Sequence, residues 1–265
     1  MVPPASPETI SAMGGKSGRL GRSLRQLRDA RATWMLLRIL LVVQAIPFLW
    51  DLADPDAGKM YLAQRAFGLS ETTYLSGSPW QPITYAFIHA NWFHLLANAA
   101  CILLLGPKLE HIIPRSTFWL LTLYTALAGG AFFLIFAPSS VTPPQILVGS
   151  SAICFGFLIL LTTLSPDSRF LPFFLSGRSI GIAIILANLA LALLNPDLPT
   201  GPLARWGKAL ADRGLHDLFR VSHACHLGGS LVGFLYGRFL LRPRITLNSL
   251  KRAREKREAT GKPPA

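Results

Sequence analysis

Long apolar runs separated by more polar connections dominate this chain, without the alternation of half-buried strands or the one-sided stripes of surface helices. The runs predict six membrane-spanning helices: Trp34–Trp50, Asn91–Gly106, Thr117–Ala137, Ser150–Leu164, Ser179–Leu194 and Ser222–Leu241. Several are shorter than the roughly 20 residues that cross a hydrocarbon core, which predicts helices starting below the surface or a locally thinned bilayer. The expected fold class is an all-α membrane protein, a six-helix bundle. It divides the chain into a basic tail (residues 1–33), a six-span domain (34–242) and a second basic tail (243–265). Two connections are long: 51–90, with an amphipathic stretch from Met60 to Leu69, and 195–221, mixed in charge.

Composition sharpens that picture. Hydrophobic residues make up 51% of the 265 and charged ones only 15%, against about 25% charged in a soluble domain. A soluble globule, a disordered chain and a disulfide-rich secreted fold are disfavoured. The net charge of +13 invites a nucleic-acid reading, but its distribution argues against one. Lys16, Arg19, Arg22, Arg25, Arg28 and Arg31 precede the first run. Arg238, Arg242, Arg244, Lys251, Arg252, Arg254, Lys256 and Arg257 close the last. Basic flanks on a hydrophobic body are cytoplasmic anchors against anionic headgroups, so the expected partner is membrane and not nucleic acid. From Leu20 to Arg31 the first tail either lies on the membrane as a short basic helix or is solvated.

The positive-inside rule then orients the chain. Six spans bring both tails to the cytoplasm, and Lys108, His111, Arg115, Arg169 and Arg178 fall in connections on the same side. The first connection carries Asp51, Asp54, Asp56 and Glu71 against Lys59 and Arg65, and is expected outside. The first span is expected to act as an uncleaved anchor, and a bacterial plasma membrane is the simplest setting. Every even-numbered span starts at the outer face. Cys101, Cys154 and Cys225 form no CxxC pair and read as buried thiols.

The polar residues inside spans gather at those outer starts. Asn91 is placed to cap the second span, with His94 in its first turn and Asn98 one turn deeper on the same face. Gly149-Ser150-Ser151 opens the fourth span. Ser222 is placed to cap the sixth, leaving His226 about 6 Å along the axis. Three distant segments thus deliver His94, Asn98, Ser151 and His226 to one layer, and intramembrane polar residues in such a layer point to function.

The chemistry they fit is acyl transfer. A serine hydroxyl needs an adjacent base, and an imidazole can take its proton and later protonate the leaving amine. No carboxylate lies at this depth, since Glu110 falls at the far end of the second span. The expectation is therefore a Ser151–His226 dyad with the imidazole oriented by stacking on Phe155. The Ser151 N–H and the side chains of Asn98 and His94 would form an oxyanion hole. Gly149, Ala152 and Gly156 are expected to face a Gly229-Gly233-Gly237 ladder on the sixth span, letting the two backbones approach. No metal or cofactor is expected.

WQPITYAFIHANWFHLLAN, GSSAICFG and HACHLGG with its following spaced glycines together resemble the rhomboid intramembrane serine proteases, over about Trp80 to Gly237. The resemblance implies a six-span rhomboid-like bundle that cleaves transmembrane segments of other membrane proteins near their outer ends. It makes Ser151 the nucleophile, His226 the base, His94 and Asn98 the oxyanion side chains, and His89 and Glu110 structural residues. Two positions depart from the family pattern: Trp80-Gln81 stands for a Trp-Arg pair, and Ala152 for the usual glycine after the nucleophile. The principal alternative is a catalytically silent rhomboid-like protein that binds client helices. A small-solute transporter is disfavoured by the lack of an intramembrane carboxylate and of broken-helix repeats.

Overall fold

The computed structural model describes the chain except residues 1–20, 22–23, 55–57, 137–144, 171–173, 199–200, 220, 243–246 and 261–265. Lys16, Arg19, Arg22 and Arg244, and with them most of the predicted first tail, lie outside the described residues. The elements in chain order are α1 (Arg31–Ala53), α2 (Lys59–Phe67), α3 (Glu71–Leu75), α4 (Gln81–Thr84), α5 (Trp92–Glu110), α6 (Arg115–Phe136) and α7 (Ser151–Leu164). A two-stranded antiparallel hairpin, β1 (Arg169–Phe170) and β2 (Leu175–Ser176), leads into α8 (Gly177–Leu193). There follow α9 (Pro202–Leu210), a π turn (Ala211–Leu215), a 3-10 turn (His216–Phe219), α10 (His223–Leu240) and α11 (Leu247–Thr260).

Each of the six apolar runs forms a helix. Three of these, α1, α5 and α6, are long and apolar enough to cross a membrane, while α7 and α8 are apolar but shorter. Large apolar side chains such as Leu41, Val42, Ile46, Leu186 and Leu235 face outward. Water would not tolerate that surface, and lipid solvates it. The protein is an integral membrane protein.

At the centre stands α7. Ala152, Ile153, Cys154, Phe157, Ile159, Leu160 and Leu161 are all buried, so this helix is enclosed on nearly every side, as an all-round apolar sequence demands. Against it lies α10, closer than side chains would permit: a methyl group added at Gly229 would sit 2.1 Å from the Ala152 carbonyl oxygen, and one at Gly233 2.2 Å from that of Gly156. On its other side, Gly228 meets the Ala128 carbonyl of α6.

The polar end of α5 has a partner 78 residues away. Instead of stopping at Gly106, α5 runs through Pro107 and Lys108 to Glu110. The Glu110 carboxylate accepts from the Ala32 N–H (3.0 Å), the Thr33 N–H (2.7 Å) and the Thr33 hydroxyl (2.7 Å). Those are first-turn donors of α1, which its own N-cap, Ala30, cannot satisfy. Gly106 lets the two helices close there, since a Cβ would lie 2.4 Å from Thr33 Oγ1. Glu110→Ala strands these donors at about 1–3 kcal/mol each if buried and dry. A clear drop in thermal unfolding temperature in detergent is expected, with Glu110→Gln between it and the wild type.

The first long connection is held by local polar bonds. Asp51 accepts the N–H groups of Lys59 and Met60, starting α2. Gln81 is fully buried; its oxygen accepts the Thr73 hydroxyl at 2.8 Å and its amide donates to the Arg65 carbonyl at 3.3 Å. Trp80 Nε1 donates to the Ala66 carbonyl at 2.9 Å. The Trp80-Gln81 pair therefore ties α4 to the end of α2 with neutral groups only.

Candidate active site

The site is assembled where α7 begins. Gly149 has φ +108°, a conformation an L side chain rarely adopts, and its N–H donates to the Tyr85 carbonyl at 2.9 Å. A Cβ there would lie 2.5 Å from His94 Cε1, so the glycine lets the imidazole pack onto the backbone leading to Ser151. The sequence sets Gly149 with Ala152 and Gly156 against the sixth span, which is α10; it faces His94 of α5 instead. The reason is positional, because Gly149 precedes α7 and does not share its helical face. Ala152 and Gly156 do meet Gly229 and Gly233.

The two adjacent serines go separate ways. Ser150 is fully buried; its hydroxyl lies 3.3 Å from His89 Nε2, and its N–H donates to that same nitrogen at 3.3 Å. The backbone N–H of His89 donates to Gln44 Oε1 of α1 at 3.0 Å. Ser151 is one residue on, turned by about 100°, and its Oγ lies 2.8 Å from His226 Nε2.

His226 sits in the first turn of α10, whose N-cap Ser222 accepts the Cys225 N–H at 3.3 Å. Its ring stacks on Phe155 with centroids 4.3 Å apart and planes 26° apart. Phe155 lies one turn beyond Ser151, so one helix supplies both the hydroxyl and the face that orients the imidazole. Cys225 points elsewhere, its sulfur 3.6 Å from the Tyr85 hydroxyl. His223 is held by Asn188 Oδ1 (3.1 Å) and the Leu218 carbonyl (2.7 Å), with its ring centroid 6.0 Å from that of His226.

Across the site, Asn91 caps α5 by accepting the His94 N–H at 2.9 Å. His94, Ser151 and His226 line one cavity of about 1000 Å³, with Phe133 and Leu147 on its apolar side and His216 and Phe219 toward the 195–221 connection. Asn98 is set back from that wall. It is buried, with Nδ2 donating to the His94 carbonyl at 3.1 Å and Oδ1 3.5 Å from the Cys154 sulfur. Because α7 starts at Ser151, that residue's N–H is a first-turn donor with no intrahelical acceptor. A hydroxyl, an imidazole and a first-turn N–H at a cavity wall are parts that acyl transfer needs.

Two supporting residues carried no signal in the hydropathy pattern. Gln44 is a polar residue in the middle of α1, fully buried and spent on His89. Tyr85 is fully buried and donates to the Ala126 carbonyl at 2.8 Å while its own carbonyl holds Gly149. It links α6, α7 and α10 from a short connecting segment.

Comparison with known proteins bears on this arrangement. A family model described as the rhomboid domain matches residues 76–243. Rhomboid protein 1, mitochondrial, of Saccharomyces cerevisiae is 28% identical over 158 residues, 58% of this chain and 40% of that protein. RHOMBOID-like protein 7 of Arabidopsis thaliana is 26% identical over 168 residues, 61% of this chain and 43% of the other. An uncharacterized protein of Mycobacterium bovis is 29% identical over 174 residues, 66% of this chain and 64% of the other. The chain thus spans between two fifths and just under two thirds of the length of these relatives.

Proposed function

The chain belongs to the rhomboid family, and on that premise we propose that it is an intramembrane serine endopeptidase that cleaves transmembrane segments of membrane proteins near their outer ends. The proposal includes a six-span bundle in a bacterial plasma membrane with both termini cytoplasmic. The observation that carries it is the 2.8 Å contact between Ser151 Oγ and His226 Nε2 at the wall of a cavity.

In this reading the Ser151 oxygen attacks the scissile carbonyl as its proton passes to His226 Nε2. The carbonyl oxygen becomes an oxyanion facing the Ser151 N–H and the side chains of His94 and Asn98. His226 then gives its proton to the departing amine, leaving an acyl group on Ser151. Water, deprotonated by His226, releases the acyl group and restores both side chains. The stack on Phe155 takes the orienting part that a carboxylate has in a triad.

A helical substrate has its amides paired, so it must unwind before a carbonyl reaches Ser151. Segments with Gly, Ser or Pro near the outer boundary are expected to be cleaved fastest, since these residues weaken a helix. Replacing them with Leu in a model substrate should slow cleavage severalfold; an unchanged rate removes the unwinding step.

The reading is tested by reconstituting the chain in liposomes with a generic single-span substrate and a serine-directed fluorophosphonate. Cleavage and labelling are both expected. A folded, inserted protein that does neither, but captures the substrate, is the catalytically silent form.

A further inference from the structure

The proposed reaction leaves Cys154 unused, although it sits against a group the reaction needs. On α5, Asn98 and Cys101 are three residues apart and share a face. Cys154, one turn beyond Ser151 on α7, packs against Asn98. Its sulfur lies 3.5 Å from Asn98 Oδ1 and 3.6 Å from the Asn98 carbonyl oxygen. Cys154 and Asn98 are both buried, at 5% and 6% exposure, so these contacts replace water instead of adding to it.

An amide side chain has two ends, and a buried one is held by whichever partners suit each end. The Asn98 nitrogen donates to the His94 carbonyl at 3.1 Å. The oxygen accepts from the Cys154 S–H, with the sulfur 3.5 Å away. Turning the amide over would set oxygen against the His94 carbonyl oxygen. The amide nitrogen carries two hydrogens, and the His94 carbonyl takes one of them. We infer that Cys154 is a positioning residue: its thiol holds the Asn98 carboxamide with the nitrogen toward the reacting carbonyl, building that half of the oxyanion hole from inside the bundle. This inference rests on the protease reading above.

Cys154→Val keeps the size and removes the donor, while Cys154→Ser keeps a donor. Both are compared with the wild type, Asn98→Ala and the double variant Asn98→Ala/Cys154→Val. Liposome cleavage gives kcat and KM, normalised to the fraction labelled by fluorophosphonate. Cys154→Val should lose about tenfold in kcat with KM unchanged, less than the roughly 100-fold that losing an oxyanion donor itself costs. Cys154→Ser should stay within about threefold of the wild type, and the double variant should be no slower than Asn98→Ala, because a residue acting through another has no effect once that other is gone. Cys101→Ser, which leaves Asn98 untouched, should match the wild type. A serine variant as slow as the valine one, or a Cys154→Val loss that persists in full on the Asn98→Ala background, overturns the inference. Wild-type kcat in Asn98→Ala overturns it together with the oxyanion role of Asn98. A wild type that neither cleaves nor labels instead overturns the protease reading, and cleavage by Ser151→Ala overturns Ser151 as its nucleophile.

Discussion

Ser151→Ala is expected to abolish cleavage and fluorophosphonate labelling while leaving the protein folded and inserted, and His226→Ala should abolish cleavage equally. The change removes one oxygen at a cavity wall and with it one hydrogen bond, of 2.8 Å. A single such bond contributes about 1 kcal/mol to stability, and His226 keeps its stack on Phe155 at 4.3 Å. The unfolding temperature should therefore barely move. Turnover should fall by about 10⁶-fold, since a nucleophile and its base act as one unit and losing either costs nearly the whole. For the same reason the double variant should be no slower than either single one. Losses that multiply in the double variant would mean that the two side chains do separate jobs. Persistent cleavage by Ser151→Ala would send the search to Ser150 or Cys154. Both have other engagements: Ser150 lies at His89, and Cys154 at Asn98.

The helices could be read from hydropathy because each apolar run is nearly free of charge along its whole length. Their ends could not. The run at Trp34 starts as a helix at Arg31, and the run at Asn91 continues from Gly106 to Glu110. In both cases charged residues stay helical because Glu110 closes the first turn of α1, a bond between residues 77 and 78 apart that no local pattern encodes. Caps were legible where their signal is local: Asn91 and Ser222 each accept an N–H three residues on. The Phe155 stack was legible for the same reason, since a residue four beyond Ser151 returns to the same face. Gly149 was not, because hydropathy cannot say that a glycine before a helix has positive φ and faces another segment. Nor were Gln44, His89 and Ser150 legible as a chain of contacts. They come from three separate stretches, and only the folded backbone puts them side by side. Pattern thus reveals what repeats along one helix, and long-range polar pairing escapes it.

The glycine ladder joins these two kinds of information and makes the second large prediction. Gly229→Ala is expected to damage both stability and catalysis far more than one methyl group does elsewhere. Its Cβ would lie 2.1 Å from the Ala152 carbonyl oxygen and 2.9 Å from the Ala152 Cα. These are backbone atoms of the residue after Ser151, so no side-chain rotation relieves the clash and α10 must move away from α7. Overpacking of a core costs about 1–3 kcal/mol, and a backbone clash belongs at or beyond the top of that range. His226 rides on α10 three residues before Gly229, so the same movement draws its imidazole from Ser151. A displacement on the order of 1 Å at reacting groups can cost 100-fold in rate. Gly237→Ala is the control: its Cβ would meet side-chain atoms of Thr163 and Leu160, the nearest at 2.7 Å, which can shift, and it lies two turns further from the dyad. It should cost less stability and leave the labelling rate of the folded fraction near the wild-type value. Thermal unfolding and fluorophosphonate labelling, measured on the same samples, separate the two effects. If Gly229→Ala unfolds and labels like the wild type, the contact between α7 and α10 does not set the distance between Ser151 and His226. The hydroxyl and the imidazole would then have to be held together by the cap at Ser222 and the stack on Phe155 alone.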